Sequence, residues 1–154
     1  GCCADQKLEP AALLTLWEMS SAMEIDQEEV DTDLHSRTIA ALGEDVVRAI
    51  QASNVLISGL NGLGCEVAKN VLLGGVKSLT IHDTEATRLE DLSAQFFLTE
   101  DDVGKNRAEA CFTKLQELNT SVVLKKSTAP LSAADLKGFS VVVLIDTPAD
   151  ECVT

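Results

Sequence analysis

The first place to look for chemistry in this chain is a glycine turn. Asn54-Val-Leu-Ile-Ser58 is apolar and strand-like; it runs into Gly59-Leu-Asn61-Gly62-Leu-Gly64, then into Cys65-Glu-Val-Ala-Lys-Asn-Val-Leu-Leu73 at helical spacing. A buried strand, a tight turn and a helix N-terminus, in that order, present backbone N–H groups to a phosphate in α/β folds. Asp83 closes the next expected strand, Ser78 to His82, 24 residues after Gly59. An acidic residue there takes ribose hydroxyls in a nucleotide-binding βαβ unit, though an Asp after a strand also serves simply to cap a turn. Where the fingerprint G-x-G-x-x-G has its second glycine, this chain has Asn61. That glycine lets the backbone approach a pyrophosphate, so a side chain there predicts a turn that keeps the fold and binds nucleotide poorly or not at all. Gly59 and Gly64 serve the turn and the helix–strand packing whether or not a ligand binds.

The elements that must position these residues alternate. Leu34, Ile39, Leu42, Val46, Val47 and Ile50 follow helical spacing broken at Gly43, which predicts two short helices. Strands are expected at Asn54–Ser58, Ser78–His82, 122–126 and 141–145, the last apolar enough to be central in a parallel sheet. Helices are expected at Gly64–Leu73, closed by Gly74-Gly75, and over 105–119, with Ala108, Cys111, Phe112, Leu115 and Leu118 on one face. The pattern is an α/β, Rossmann-like, doubly wound and mostly parallel sheet that ends early, preceded by two short helices. Residues 33–154 are read as that domain, incomplete. Residues 1–32 are read as an acidic amino-terminal extension, with disorder as one reading of it.

Composition narrows the function classes. Net charge is −13, and a chain this acidic has no basic footprint for nucleic acid. Six acidic residues fall between Glu24 and Asp33 with no basic residue among them, the mark of a solvated run. No apolar run is long enough to span a bilayer, and the first residues do not read as a signal peptide. The five cysteines, Cys2, Cys3, Cys65, Cys111 and Cys152, form no C-x-x-C pair, and with only His35 and His82 no metal site is expected. Unpaired thiols fit a reducing compartment, cytoplasmic or nuclear. Cys65 and Cys111 lie inside helical patterns and read as buried small apolar residues.

Several ordered motifs then carry a resemblance: Asp33-Leu-His-Ser-Arg37, Ser58-Gly-Leu-Asn-Gly-Leu-Gly64, Lys69-Asn70, Gly74-Gly-Val-Lys77, Ile81-His-Asp83, Asp91-Leu-Ser-Ala-Gln95-Phe96 and Asp102-Val-Gly-Lys-Asn-Arg-Ala-Glu109. From about Asp33 to Pro148 the chain resembles ubiquitin-activating enzymes, and within them the start of the first, catalytically silent adenylation half. In that family two homologous α/β halves pair. One binds ATP and Mg2+ and adenylates the carboxyl terminus of ubiquitin; a cysteine of a separate domain takes the acyl group, and the product passes to a ubiquitin-conjugating enzyme.

The resemblance implies that this half is silent. Active halves carry N-x-N-R-Q-F, whose Asn and Arg contact phosphates; here Asp91-Leu-Ser93-Ala94-Gln95-Phe96 stands instead. The missing Arg removes a charge-assisted contact, and Asp91 is expected to repel a triphosphate. Lys105 matches a lysine that approaches the nucleotide in active halves. Asp146 falls where active halves keep a magnesium-binding Asp, and otherwise reads as a turn carboxylate capping a helix near Pro148. Gly59, Asn61, Gly62, Gly64, Asp83, Lys105 and Asp146 thus outline a degenerate pseudo-site.

Arg37 aligns with an arginine that the silent half lends across the interface to the other half's ATP phosphates, as an arginine finger does. Its other reading is a surface cation beside the acidic run. The implied partners are the active half, ubiquitin and, through other domains, a conjugating enzyme. Three alternatives stand: an inactive small subunit of a heterodimeric activator for a ubiquitin-like modifier, an NAD-dependent dehydrogenase domain, and a ligand-free scaffold.

Overall fold

The computed structural model describes residues 35–145 and Thr147. Two short helices come first, α1 (Ser36–Leu42) and α2 (Glu44–Ala52). Gly43 separates them at φ 91°, a conformation that favours glycine, as the helical spacing predicts. Glu44 and Asp45 lie in the first turn of α2, complementing its dipole.

The sheet is built from β1 (Asn54–Ser58), β2 (Ser78–His82), β3 (Val123–Ser127) and β4 (Val141–Leu144), all parallel, in the order β3-β2-β1-β4. The two long helices are α3 (Gly62–Leu73) and α4 (Arg107–Gln116). Alternation decides the core. Val55, Ile57, Leu79, Ile81 and Leu124 share one sheet face and pack against Ala68 and Leu72 of α3 and Ala108, Cys111 and Leu115 of α4. The order reverses direction after β3, so the connection through Asp135–Gly138, a single 3-10 turn, runs to the far side of β1. A cavity of about 590 Å³ lies between the other sheet face, at Leu56, Ser78, Thr80 and Lys125, and that connection.

β1 and β2 match their predicted bounds. Helix α3 starts two residues early because Asn61 caps it, accepting from Gly64 N at 2.9 Å. Helix α4 is shorter than the predicted 105–119. Asn106 takes the cap, accepting from Ala108 N at 2.9 Å, which leaves Lys105 outside, and Leu118 lies beyond the end, 38% exposed. β4 is not central among the described strands. It pairs with β1 alone and stands at an edge, with Val141 48% exposed. Residues 1–34, Asp146 and Pro148 lie outside the described residues, so the expectations for the extension and for Asp146 have no structural account.

Candidate functional site

Strand β1 delivers the glycine turn to the carboxyl end of the sheet, where open α/β folds bind ligands. Each glycine there is explained by protein atoms. Gly59 has φ 93°, and a Cβ on it would stand 2.5 Å from the Ile145 carbonyl oxygen. A Cβ on Gly64 would stand 1.8 Å from the Gly59 oxygen, so helix and strand meet backbone to backbone. A Cβ on Gly62 would stand 2.8 Å from both the Cβ and the oxygen of Ala94. The segment that replaces N-x-N-R-Q-F therefore lies on the turn itself. The Asn61 side chain occupies the Gly64 N–H, one of the donors a helix N-terminus would offer an anion.

Asp83 sits at the end of β2, 3% exposed, and every direction from its carboxylate is taken. Oδ2 accepts from Leu60 N at 2.7 Å and from Arg107 Nε at 2.9 Å. Oδ1 accepts from Glu85 N at 2.8 Å and from Arg107 Nη2 at 3.2 Å. Asn106 Nδ2 donates to the Asp83 carbonyl at 2.7 Å, fixing the start of α4 to the end of β2. A ribose hydroxyl would have to displace a bidentate guanidinium.

Asp91 does not act as a free repelling charge. Its Oδ2 accepts from Arg88 N at 2.8 Å, and its Oδ1 lies 3.6 Å from Arg107 Nη1. Two carboxylates thus share one guanidinium that is 15% exposed. Gln95, 1% exposed, completes the filling: its Nε2 donates to the Leu60 carbonyl and its Oε1 accepts from Cys111 Sγ.

Lys105 is on the flank, 57% exposed, its Nζ 3.0 Å from Asp102 Oδ1. Asp102 also accepts from Thr99 N and Oγ1 at 3.1 and 2.8 Å and lies 3.3 Å from Lys114 Nζ. The Thr99 hydroxyl foremost, then Lys105, holds the Asp102 carboxyl well below the usual carboxylate range, against the opposing effect of burial. Arg37 is elsewhere. It is exposed on α1, and its near neighbour His35 lies 3.6 Å from where a Cβ on Gly75 would be, past the far end of α3 from Asn61. Among the described residues no group of three or more His, Cys, Asp or Glu is placed to hold a metal ion, and no helix is long and apolar enough to cross a membrane.

The turn, Asp83 and the Asp91–Gln95 segment are brought together; Lys105 and Arg37 are not part of that cluster. Sequence reasoning quoted Arg107 and Gln95 within motifs without assigning either a role. The one available signal was that a buried Asp at a strand end needs a cation.

Residues 35–148 match the model of the ThiF family. The chain belongs to the ThiF family. It is 51% identical over 128 residues to ubiquitin-activating enzyme E1 1 of Arabidopsis thaliana, and 48% identical over 123 residues to ubiquitin-like modifier-activating enzyme 1 of Homo sapiens. These alignments cover 83% and 80% of the chain but 12% of each relative, so the chain spans about an eighth of their length. The resemblance to ubiquitin-activating enzymes read from the motifs is borne out. The fold is similar to that of E. coli tRNA N6-threonylcarbamoyladenosine dehydratase in complex with AMP, at TM-score 0.67 and 18% identity over 78% of this chain and 51% of that one. In complex with ATP the same dehydratase gives TM-score 0.65 at 17% identity, over 78% and 52%. The Rossmann-like fold class is borne out with it.

Proposed function

We propose that this ThiF-family segment, residues 33–154, contributes the non-catalytic adenylation half of an ATP-dependent ubiquitin-activating enzyme. The observation that carries this reading is that the nucleotide turn is packed with the protein's own atoms: Ala94 on Gly62, Asn61 on the helix N-terminus, and Arg107 across Asp83. The residues present do not fit a triphosphate and its ribose, and no step is assigned to this pocket. ATP and Mg2+ belong, in this reading, to the other half.

The pseudo-site then serves shape. Beside the filled turn, Leu63 and Phe96 are 64% and 58% exposed, and Lys69 Nζ lies 5.5 Å from the centre of the Phe96 ring. Exposed apolar side chains next to a closed pocket support docking against the second α/β half. Arg37, exposed on α1, is available to supply a planar cation to the phosphates that half binds. Ubiquitin and, through other domains, a conjugating enzyme are the further partners. The cytoplasm and nucleus are the proposed compartments. The relatives' names favour the ubiquitin enzyme over a separate small subunit.

Calorimetric titration of this chain with ATP and Mg2+ tests the reading. No saturable binding is expected below millimolar ATP; a micromolar affinity would overturn it.

A further inference from the structure

Strands of a parallel sheet that is covered on both faces read as near-continuous apolar runs. Here β1, β2 and β3 alternate instead, and the face turned away from α3 and α4 is largely polar. Most of that face satisfies itself. Ser78 Oγ donates to Asn54 Oδ1 at 2.7 Å. His82 Nε2 lies 2.9 Å from the Ala129 carbonyl and Nδ1 lies 2.8 Å from Ser58 Oγ. Because a carbonyl only accepts, Nε2 carries the proton and the Ser58 hydroxyl donates to Nδ1. His82 thereby ties the chain after β3 to the sheet and fixes one wall of the cavity of about 590 Å³.

Three polar side chains of this face are left over. Thr80 and Lys125 are register partners on β2 and β3, and Ser127 follows on the same face. Thr80 is 9% exposed, and none of the three side chains makes a hydrogen bond or ion pair within the protein. A buried hydroxyl left without a partner costs free energy unless something polar reaches it. All three residues line the cavity, whose volume falls within the range of roughly 300–1,000 Å³ of small-molecule sites. Leu56, Leu131 and Phe139 give it apolar walls. Lys126, next along β3, is engaged elsewhere, its Nζ 3.3 Å from Glu109 Oε1. Asp135 lies on the opposite wall, its Oδ2 accepting from Ser132 N and Oγ at 2.9 and 2.7 Å. One cation faced by one carboxylate, in a chain of net charge −13, favours a ligand with a single negative charge over one with two.

We propose that this cavity is a binding site for a small organic carboxylate, its head on Lys125, Thr80 and Ser127 and its apolar body against Leu56, Leu131 and Phe139. The Lys125 ammonium supplies a charge-assisted hydrogen bond, and the two hydroxyls donate to the remaining lone pairs of the carboxylate. The site shares no residue with the filled glycine turn, so it does not depend on whether this half is silent.

The test titrates the full chain, isotope-labelled, with hydrocinnamate and follows backbone amide shifts by NMR. Half-saturation is expected below about 1 mM, with the shifts centred on Thr80, Lys125, Ser127 and Leu131. Hydrocinnamyl alcohol, which keeps the body and lacks the charge, should bind about tenfold more weakly, and phenyl phosphate should bind more weakly than hydrocinnamate. Lys125 is exposed, so Lys125→Met keeps the fold, and it should weaken hydrocinnamate about tenfold while leaving the alcohol unchanged. Thr80→Val, of matching shape, should weaken hydrocinnamate about three- to tenfold. No saturation by about 10 mM, shifts centred outside the cavity, or full affinity in a folded Lys125→Met variant would overturn the site. Equal binding of the alcohol would overturn the carboxylate head, and tighter binding of phenyl phosphate would overturn the preference for one negative charge.

Discussion

Arg107 grips Asp83 with both Nε, at 2.9 Å, and Nη2, at 3.2 Å, in a site where the two side chains are 15% and 3% exposed. The carboxylate that a nucleotide-binding βαβ unit would turn toward a ribose is here neutralised from within. The pair also joins the end of β2 to the start of α4, so it stabilises the fold while it closes the pocket.

Arg107→Met removes the guanidinium and keeps the aliphatic stem. It leaves a buried carboxylate uncompensated, and the expected loss is about 3–5 kcal/mol in urea denaturation. Asp83→Asn with Arg107→Met should recover part of that loss, because no charge remains to be paired. A single variant within about 0.5 kcal/mol of the parent would show that the pair is not structural.

The glycines of the turn rank by what stands over them. Gly64→Ala places Cβ 1.8 Å from the Gly59 oxygen, where only backbone can yield. A loss of more than about 3 kcal/mol is expected. Gly62→Ala meets Ala94 at 2.8 Å, and the 3-10 segment that carries Ala94 can shift, so about 1–3 kcal/mol is expected. Thermal melts of the two variants check the order, and the reverse order would contradict the packing.

What was legible in the sequence were features fixed by local rules. Short strand-like segments bounded by polar residues placed β1 and β2, Gly43 placed the break between α1 and α2, and the helical spacing of Ala108, Cys111 and Leu115 placed the buried face of α4. Asn61 was legible as an obstacle to phosphate, though its role as helix cap was not drawn from it. Arg107 was not legible as the partner of Asp83, because the pair is made by packing α4 across the end of β2, and no periodicity connects two residues on different elements. Asp91 was legible as a carboxylate beside the turn, but its sharing of Arg107 with Asp83 was not, for the same reason. That β4 pairs with β1 alone among the described strands was equally hidden, since pairing is decided across the sheet.

Asp102 makes the acid side of the stability curve testable. Its folded carboxyl is held below the ordinary value near 3.9, first by the Thr99 hydroxyl and then by Lys105. A depressed carboxyl contributes stability above the unfolded value, and that contribution is lost as pH falls through and below it toward the folded value. Asp102→Asn should therefore be less stable than the parent at about pH 6, with the gap in urea midpoint narrowing steadily as pH falls from about 4 toward about 2.5. A gap constant across that range would mean that the residue acts by packing and neutral hydrogen bonds alone.

Arg37 separates stability from chemistry. It is exposed on α1, where the helix buries none of its residues, and alanine is at least as good a helix former there. In this chain Arg37→Ala should change unfolding free energy by less than about 0.5 kcal/mol. Placed in a full-length ubiquitin-activating enzyme that contains the segment, the same substitution should slow ATP–pyrophosphate exchange by about 10- to 1,000-fold, in line with the loss of one positioned cation at a phosphate. Lys at the same position should restore little, because an ammonium lacks the planar fork. Unchanged exchange in the Ala variant, with a folded protein, would return Arg37 to the role of a surface charge.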